Sequence, residues 1–151
     1  MLSGQGADHQ PLGYLVKRLD SALTDYVDRL LGKKHGLGRS HWQLLRTVSV
    51  QPGVKRSEFA ESSQIFYDED RLRELISDLV ARGWLLVEER NDAADGPRLW
   101  LTDMGERGYR ELVQTQESSW TTLMRGLDEA DYELVVTRLE RMIDNLESAS
   151  L

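Results

Sequence analysis

The sequence contains no cysteine, and this absence excludes disulfide bonds, thiolate metal ligands and thiol redox switches. No stretch reaches the roughly 18–20 consecutive apolar residues of a membrane span. The segment 1–15 lacks the basic-then-apolar order of a secretory signal peptide. The length of 151 residues is typical of one domain. We therefore expect a cytoplasmic, soluble protein with a single domain over 1–151.

Motifs of catalytic chemistry are also missing. The chain has no Gly-x-Ser-x-Gly motif and no phosphate-binding glycine loop. Its three histidines, His9, His35 and His41, lack the i,i+4 spacing that places two zinc ligands on one helix face. We therefore expect neither an enzyme nor a metal site, and no cofactor.

The charge is unevenly distributed along the chain. The formal net charge is −7, which at first argues against a nucleic-acid partner, because phosphate binding needs a basic surface. Residues 1–54 nevertheless carry +3, whereas 55–100 carry −4 and 101–151 carry −6. The basic side chains therefore concentrate in the first part of the chain, between Arg29 and Arg56.

Apolar residues at helical spacing predict a long first helix that begins at Pro11 and stops in the glycine-containing loop 32–38. Ser40 and Gln43 have the spacing of a capping box and predict the start of a second helix, which runs to about Val50. Two more short helices follow, over 57–62 and from the acidic segment 68–70 to Gly83, where the acids suit the positive end of a helix dipole.

The pattern then changes to two β-prone segments, 84–88 and 98–101, joined by a polar turn, which predict a hairpin. Thr102 and Asp103 begin a further long helix, and Asp128 caps a last one.

Three short helices followed by a hairpin are typical of a winged helix-turn-helix unit, which we place at 38–102. The fold class predicted is mainly α with a small β-hairpin wing. The flanking helices, 11–35 and 103–151, carry apolar stripes that so small a core cannot cover. Stripes at both chain ends commonly meet a symmetry mate, so we assign these helices to dimerisation.

Several short motifs, in this order and spacing, resemble the MarR (multiple antibiotic resistance) family of bacterial regulators. The family's Gly-Leu-Thr is similar to GLGRSHWQLL at 36–45, its Ser-Glu-Leu-Ala to SEFAE at 57–61, and its Leu-x-x-Lys-Gly-Leu/Trp-Val to LVARGWL at 79–85. Its Arg-x-x-x-Asp-x-Arg is similar to the wing residues Arg90, Asp92, Asp95 and Arg98, and its Leu-Thr-x-x-Gly to LTDMG at 101–105.

The resemblance implies a homodimer that binds a palindromic double-stranded DNA operator, usually as a repressor. It also implies that the DNA is released when a small phenolic or aromatic carboxylate enters a crevice between the DNA-binding lobe and the dimer helices. An arginine with aromatic neighbours suits such a ligand. The residues expected there are Tyr14, Arg18, His41 and Trp42. The alternative is that Trp42 belongs to the core and Tyr14 to the dimer interface.

The DNA-contacting residues expected from the winged-helix pattern lie in three places. Arg71 and Arg73 are expected on the exposed face of the recognition helix, where arginine reads guanine; the alternative for Arg71 is an i,i+3 pair with Glu74. The start of the third helix and the hairpin supply phosphate contacts, although Asp92 or Asp95 could instead neutralise Arg98. The full set is Lys55, Arg56, Ser57, Tyr67, Asp70, Arg71, Arg73, Arg90 and Arg98.

One departure from the family weakens the DNA-binding interpretation. The recognition helix begins with acidic residues, and Asp70 occupies a position where the family often has an operator-contacting serine. A carboxylate accepts a hydrogen bond from cytosine N4 but repels phosphate. A winged-helix dimer used for protein–protein contact, with weak or lost DNA binding, therefore stays open as a second hypothesis.

Overall fold

A computed structural model describes residues 10–89 and 96–150. Within these residues the chain forms six helices and three short strands. The elements in chain order are α1 (Leu12–His35), α2 (Arg39–Val50), β1 (Val54–Lys55), α3 (Arg56–Ser62), α4 (Glu69–Ala81), β2 (Leu85–Glu88), β3 (Arg98–Leu101), α5 (Asp103–Leu123) and α6 (Glu129–Glu147). The mainly helical class and the predicted element order are confirmed. None of the helices in the described ranges combines the length and apolar composition that a membrane span needs.

The chain divides into two compact units, Met1–Gln116 and Glu117–Leu151. The first unit has a leucine-rich core that draws on five of its helices and on the sheet. Its completely buried members are Leu31, Leu44, Leu45, Leu72, Leu75, Leu79, Leu99 and Leu112. All of these leucines except Leu99, which lies on β3, are helical, and each of the eight contributes on the order of 2 kcal/mol through removal of its side chain from water.

The sheet has three antiparallel strands in the order β1-β3-β2, one strand more than the predicted hairpin. Val54 pairs with Leu99, and Leu85 pairs with Leu101, so that β3 lies at the centre. The two-residue β1 is too short to show an alternating pattern, and sequence reasoning therefore missed it. Its pairing joins the segment before α3 to the wing.

Helix α1 ends at His35, inside the loop segment 32–38 in which the sequence predicted its stop. Its C-cap residue is Gly36, whose φ of 68° is the left-handed conformation that glycine adopts without a steric penalty. The amide of Leu37 bonds to the carbonyl of Leu31, and both leucines are buried. This contact is the hydrophobic closure that accompanies such helix ends, and it explains why the helix passes through Gly32.

The predicted capping box at Ser40 and Gln43 is wrong, because α2 begins two residues earlier. Asp28 of α1 supplies the cap, since its Oδ1 accepts the amide hydrogen of Arg39 at 2.7 Å. A Cβ at Gly38 would lie 2.9 Å from that oxygen, so a side chain at this position would push the capping carboxylate away. The cap comes from another helix and has no local sequence signature.

The predicted start of α5 is confirmed, and the structure explains the Leu-Thr-x-x-Gly motif. The Thr102 hydroxyl accepts the amide hydrogen of Gly105 at 3.0 Å and donates to the carbonyl of Gly83 at 2.6 Å. A side chain at Gly105 would overlap the backbone carbonyl of Trp84. The motif therefore fixes the angle at which the helix leaves the wing.

The second unit contains the end of α5 and the whole of α6. Asp128 caps α6 as predicted, because its Oδ1 accepts the amide hydrogen of Asp131 at 2.8 Å. Trp120 and Tyr132 pack edge to face with ring centroids 4.8 Å apart. No residue of α6 is buried, and its apolar stripe stays exposed.

Candidate nucleic-acid interface

Helix α4 has a buried apolar face and an exposed charged face. Leu72, Leu75, Ile76 and Leu79 point into the core. The intervening positions carry the charged side chains, all of them exposed: Glu69, Asp70, Arg71, Arg73 and Glu74. The sequence prediction that Arg71 and Arg73 face away from the core is therefore confirmed.

The acidic residues at the start of α4 have separate roles. Asp68 is the N-cap, since its Oδ1 accepts the amide hydrogen of Arg71 at 2.8 Å. Asp70 does not cap the helix, because its Oδ1 instead accepts from Nη1 of Arg73 at 3.2 Å. The carboxylate of Asp70 therefore pairs with a neighbouring arginine and not with the helix backbone.

Both arginines of the exposed face pair with carboxylates of the same helix. Arg71 Nη1 lies 3.3 Å from Glu74 Oε2, so the alternative interpretation of Arg71 describes an observed contact. Arg73 also lies 3.9 Å from Glu69 Oε1. These pairs are exposed, and pairs of this kind contribute only about 0–1 kcal/mol each. An incoming phosphate or base can therefore replace them at low cost.

Glu69 joins α4 to the start of α3, because its Oε1 accepts from Arg56 Nη2 at 2.6 Å. The hydrogen bond from Arg56 is the main reason that the pKa of Glu69 lies below its ordinary value. Sequence reasoning named Arg56 but missed Glu69. The two residues are thirteen positions apart, and no local spacing rule links them.

The structure brings the start of α3 next to the wing. Lys55 pairs with Arg98 in the β1–β3 ladder, and the amide of Arg56 donates to the carbonyl of Pro97 at 2.9 Å. Ser57 is exposed in the first turn of α3. The pairing of β1 with β3 therefore places Lys55, Arg56 and Ser57 next to Arg98, a proximity that the sequence had not indicated.

Arg98 is held in the sheet rather than projecting freely from it. Its Nη1 donates to the carbonyl oxygen of Gly53 at 2.9 Å. The other predicted wing contact, Arg90, lies outside the described residues, as do Asp92 and Asp95, the alternative partners of Arg98.

Tyr67 is half-buried just before α4. Its ring stacks on Phe59 with a centroid separation of 6.2 Å, and burial raises the pKa of its hydroxyl. The ring therefore packs the junction between α3 and α4, and a DNA contact would have to come from its hydroxyl edge.

Two residues of the predicted effector site have structural partners. His41 accepts the amide hydrogen of Gly38 at Nδ1, 3.1 Å away, and Nε2 lies 2.7 Å from Asp78 Oδ2. These contacts correspond to the neutral ring with its proton on Nε2, and burial lowers the pKa of His41. Trp42 stacks on Tyr109 with centroids 5.2 Å apart.

The other two predicted effector residues, Tyr14 and Arg18, are exposed on the first turns of α1. In the described ranges, no hydrogen bond or ring contact joins either of them to His41 or Trp42. The described ranges also contain no group of three His, Asp or Glu side chains placed to hold a metal ion.

No family model matches the sequence, and no curated protein matches it. Solved structures do match it. The chain is similar to the PcaV transcriptional regulator from Streptomyces coelicolor in complex with its natural ligand, at 23% identity and a TM-score of 0.70, over 91% of this chain and 94% of that chain. It is also similar to a mutant MarR from E. coli complexed with operator DNA, at 16% identity and a TM-score of 0.75, over 87% of this chain and 93% of that one.

A third similar structure is a MepR–DNA complex from S. aureus, at 18% identity and a TM-score of 0.73, over 90% of this chain and 96% of that one. At these identities the likeness shows the fold. The chain has the winged-helix fold of the MarR-type regulators, and the resemblance drawn from its motifs is confirmed at that level.

Proposed function

We propose that this chain is a MarR-type transcription regulator that binds double-stranded operator DNA as a homodimer and acts as a repressor. One observation carries the proposal. Within a single winged-helix unit, α4 exposes Arg71 and Arg73 on the two flanks of its buried stripe, beside the basic start of α3.

Winged helices use one helix for base contacts and the neighbouring elements for phosphate contacts, and this arrangement supports the proposal. An exposed helix that enters the major groove reads base edges, and arginine forms its best specific contact with guanine. Lys55 and Arg56, with the Ser57 hydroxyl, supply phosphate contacts that position the helix. Arg98 and Arg90 are assigned to the wing contact with the DNA backbone or the minor groove.

Exposed apolar faces on the end helices support the homodimer. On α1, Leu12, Leu15 and Leu19 are about half exposed, and on α6 Ile143 and Leu146 are 51% and 79% exposed. Faces of this kind are costly in water and are commonly buried against a second copy. Sedimentation at micromolar concentration should give about twice the chain mass of 17.3 kDa. A monomer would contradict the dimer and, with it, recognition of two half-sites.

The proposal includes a small aromatic carboxylate as the effector. Arg18 and Tyr14 are exposed and supply a guanidinium and an aromatic ring for such a ligand. A salicylate-like compound should raise the Tm, and Arg18→Ala should abolish that rise without changing the Tm of the free protein. An unchanged Tm across a panel of phenolic acids would favour a regulator without this effector.

The test of DNA binding is a salt titration with fluorescent DNA from the promoter region of the protein's own gene. We expect specific binding whose affinity falls steeply with salt. Arg73→Ala should cost about 1–3 kcal/mol on the operator and relax the preference at one base pair. Lys55→Ala should instead weaken binding to all DNA alike and reduce the salt slope by about one ion.

A second function stays in view because one observation favours it. The arginines of α4 are paired with carboxylates, while Ile65 and Phe66, just before the helix, are 81% and 58% exposed. A winged-helix dimer that binds a protein would present such a surface. Absence of DNA binding at low salt, with a normal Tm, would contradict the DNA-binding function and favour this alternative.

A further inference from the structure

Glu69 holds the guanidinium groups of two different helices. Its Oε1 lies 2.6 Å from Arg56 Nη2 at the start of α3 and 3.9 Å from Arg73 Nη2 one turn further along α4. The carboxylate itself is half exposed, so water and solutes reach it. One carboxylate therefore lies at the junction of α3 and α4, between Arg73, whose side chain is 67% exposed, and Arg56, whose side chain is 23% exposed.

A phosphate oxygen and a carboxylate oxygen attract a guanidinium group in the same way. Both are anionic acceptors that arginine binds through short, charge-assisted hydrogen bonds. Arg56 was assigned above to a phosphate and Arg73 to a base edge. A phosphate that binds Arg56 therefore competes with Glu69 for the same guanidinium, and an anion at Arg73 does so to a smaller degree because that contact is longer.

We propose that Glu69 is an internal competitor for the DNA backbone, which occupies the arginines until a duplex displaces it. This inference rests on the proposed DNA-binding function. A random duplex offers phosphate alone in exchange for the pairs with Glu69. An operator also offers the base contact of Arg73, which adds to the free energy available to displace Glu69.

Glu61 provides a matched control for the charge change. It is an exposed carboxylate in the last turns of α3 and lines the same cleft as Glu69. No ion pair involves Glu61 in the described part of the chain. Glu61→Gln therefore changes the net charge as Glu69→Gln does, without releasing an arginine.

The experiment measures the anisotropy of a fluorescein-labelled duplex of mixed sequence, about 30 base pairs long, enough for two half-sites one helical turn apart. Full-length wild type, Glu69→Gln, Glu61→Gln, Arg56→Ala and the double variant Arg56→Ala/Glu69→Gln are titrated at several salt concentrations. Glu69→Gln should bind about two- to fivefold more tightly than wild type, the range expected from release of an exposed pair. Its salt slope should steepen by about one ion.

Glu61→Gln should give a smaller gain and leave the salt slope unchanged. Most of the gain from Glu69→Gln should vanish in the Arg56→Ala background, because the shorter pair is then already absent. Equal effects of Glu69→Gln and Glu61→Gln, or an undiminished gain in the Arg56→Ala background, would overturn the inference and leave the DNA-binding function standing.

The titrations have two further possible outcomes. If neither wild type nor Glu69→Gln binds the duplex at low salt while both show a normal Tm, the DNA-binding function fails and the competitor role fails with it. If Glu69→Gln does not fold, Glu69→Asp replaces it, because aspartate keeps the charge at the helix start but shortens the reach to Arg56. Tighter binding by Glu69→Asp than by wild type supports the inference, and equal binding contradicts it.

Discussion

The two ends of helix α4 carry pairs of polar side chains in different surroundings. At the N-terminal end, Arg73 and Asp70 form a pair whose side chains are 67% and 86% exposed. At the C-terminal end, Asp78 pairs with His41, whose side chain is only 12% exposed. Arg82 extends this second group, because it contacts Asp78 and donates to the carbonyl of Gly36 at 2.9 Å.

The difference in burial decides what each group of pairs can do. Exposed pairs exchange with water and with other ions at little cost, so the N-terminal end is suited to meeting an external ligand. A half-buried pair cannot be given up without leaving a polar group unsatisfied. The C-terminal end therefore fixes α4 to α2 and to the end of α1, and the N-terminal end stays available.

The largest expected effect on stability follows from breaking the less exposed pair. Asp78→Ala removes the acceptor from the Nε2 hydrogen of His41 and a partner from Arg82. We expect a loss of about 1–3 kcal/mol in the free energy of unfolding, measured by urea titration. Asp70→Ala is the control and should cost no more than about 1 kcal/mol. Equal losses of unfolding free energy in the two variants would contradict the proposed difference in stabilisation between the two ends of α4.

A second substitution tests the cap of α2, which meets α4 through His41. Gly38→Ala places a Cβ 2.9 Å from the Asp28 oxygen that caps Arg39, and loss of that cap should cost about 1 kcal/mol. Gly32→Ala is the matched control. It lies within α1 with no atom nearer than 3.8 Å to the added carbon, so it should be neutral or stabilising. If Gly38→Ala leaves the free energy of unfolding unchanged, the bond from Arg39 to Asp28 does not stabilise the start of α2.

A smaller effect is expected from pH. Burial lowers the pKa of His41 from 6.5, against the pull of Asp78, and the amide of Gly38 bonds to the nitrogen that would take the proton. The unfolded chain therefore binds this proton more readily than the folded one, and stability falls as the pH decreases below about 6.5.

Thermal unfolding between about pH 7.5 and about pH 5.5 measures this dependence. The His41→Gln variant should show a flatter dependence over that interval. The same slope in both proteins would show that other groups account for the pH effect.

The smallest effect on stability is expected at the exposed end. Arg73→Ala breaks the pair with Asp70 and the longer contact with Glu69, both in water. The free energy of unfolding should change by no more than about 0.5 kcal/mol. A loss well above 1 kcal/mol would mean that Arg73 supports the fold and would weaken its assignment to DNA.

Local patterns predicted much of the candidate interface. The exposure of Arg71 and Arg73 was visible in the sequence, because helical spacing places both outside the centre of the apolar stripe that Leu72, Leu75, Ile76 and Leu79 form, one on each of its flanks. The pairing of Arg71 with Glu74 was also visible as an i,i+3 spacing. The bond between Arg56 and Glu69 was not visible, because it crosses from one helix to another.

The predicted effector site shows a different limit. His41 and Trp42 were chosen for their chemistry, and the structure gives His41 two hydrogen-bond partners and stacks Trp42 on Tyr109. Their partners Asp78 and Tyr109 lie 37 and 67 positions along the chain. No rule based on spacing connects residues that far apart.

The sequence by itself determined the helices, the strands of the wing and the caps at Thr102 and Asp128. These features depend on side chains within one or two turns of each other, and their energies are expressed locally. The tertiary structure alone decided the strand β1, the cap that Asp28 gives to α2, and the carboxylates that hold Arg56 and His41. Each of these needs a partner that only the folded chain brings within hydrogen-bond distance, and neither composition nor periodicity encodes that partner's position.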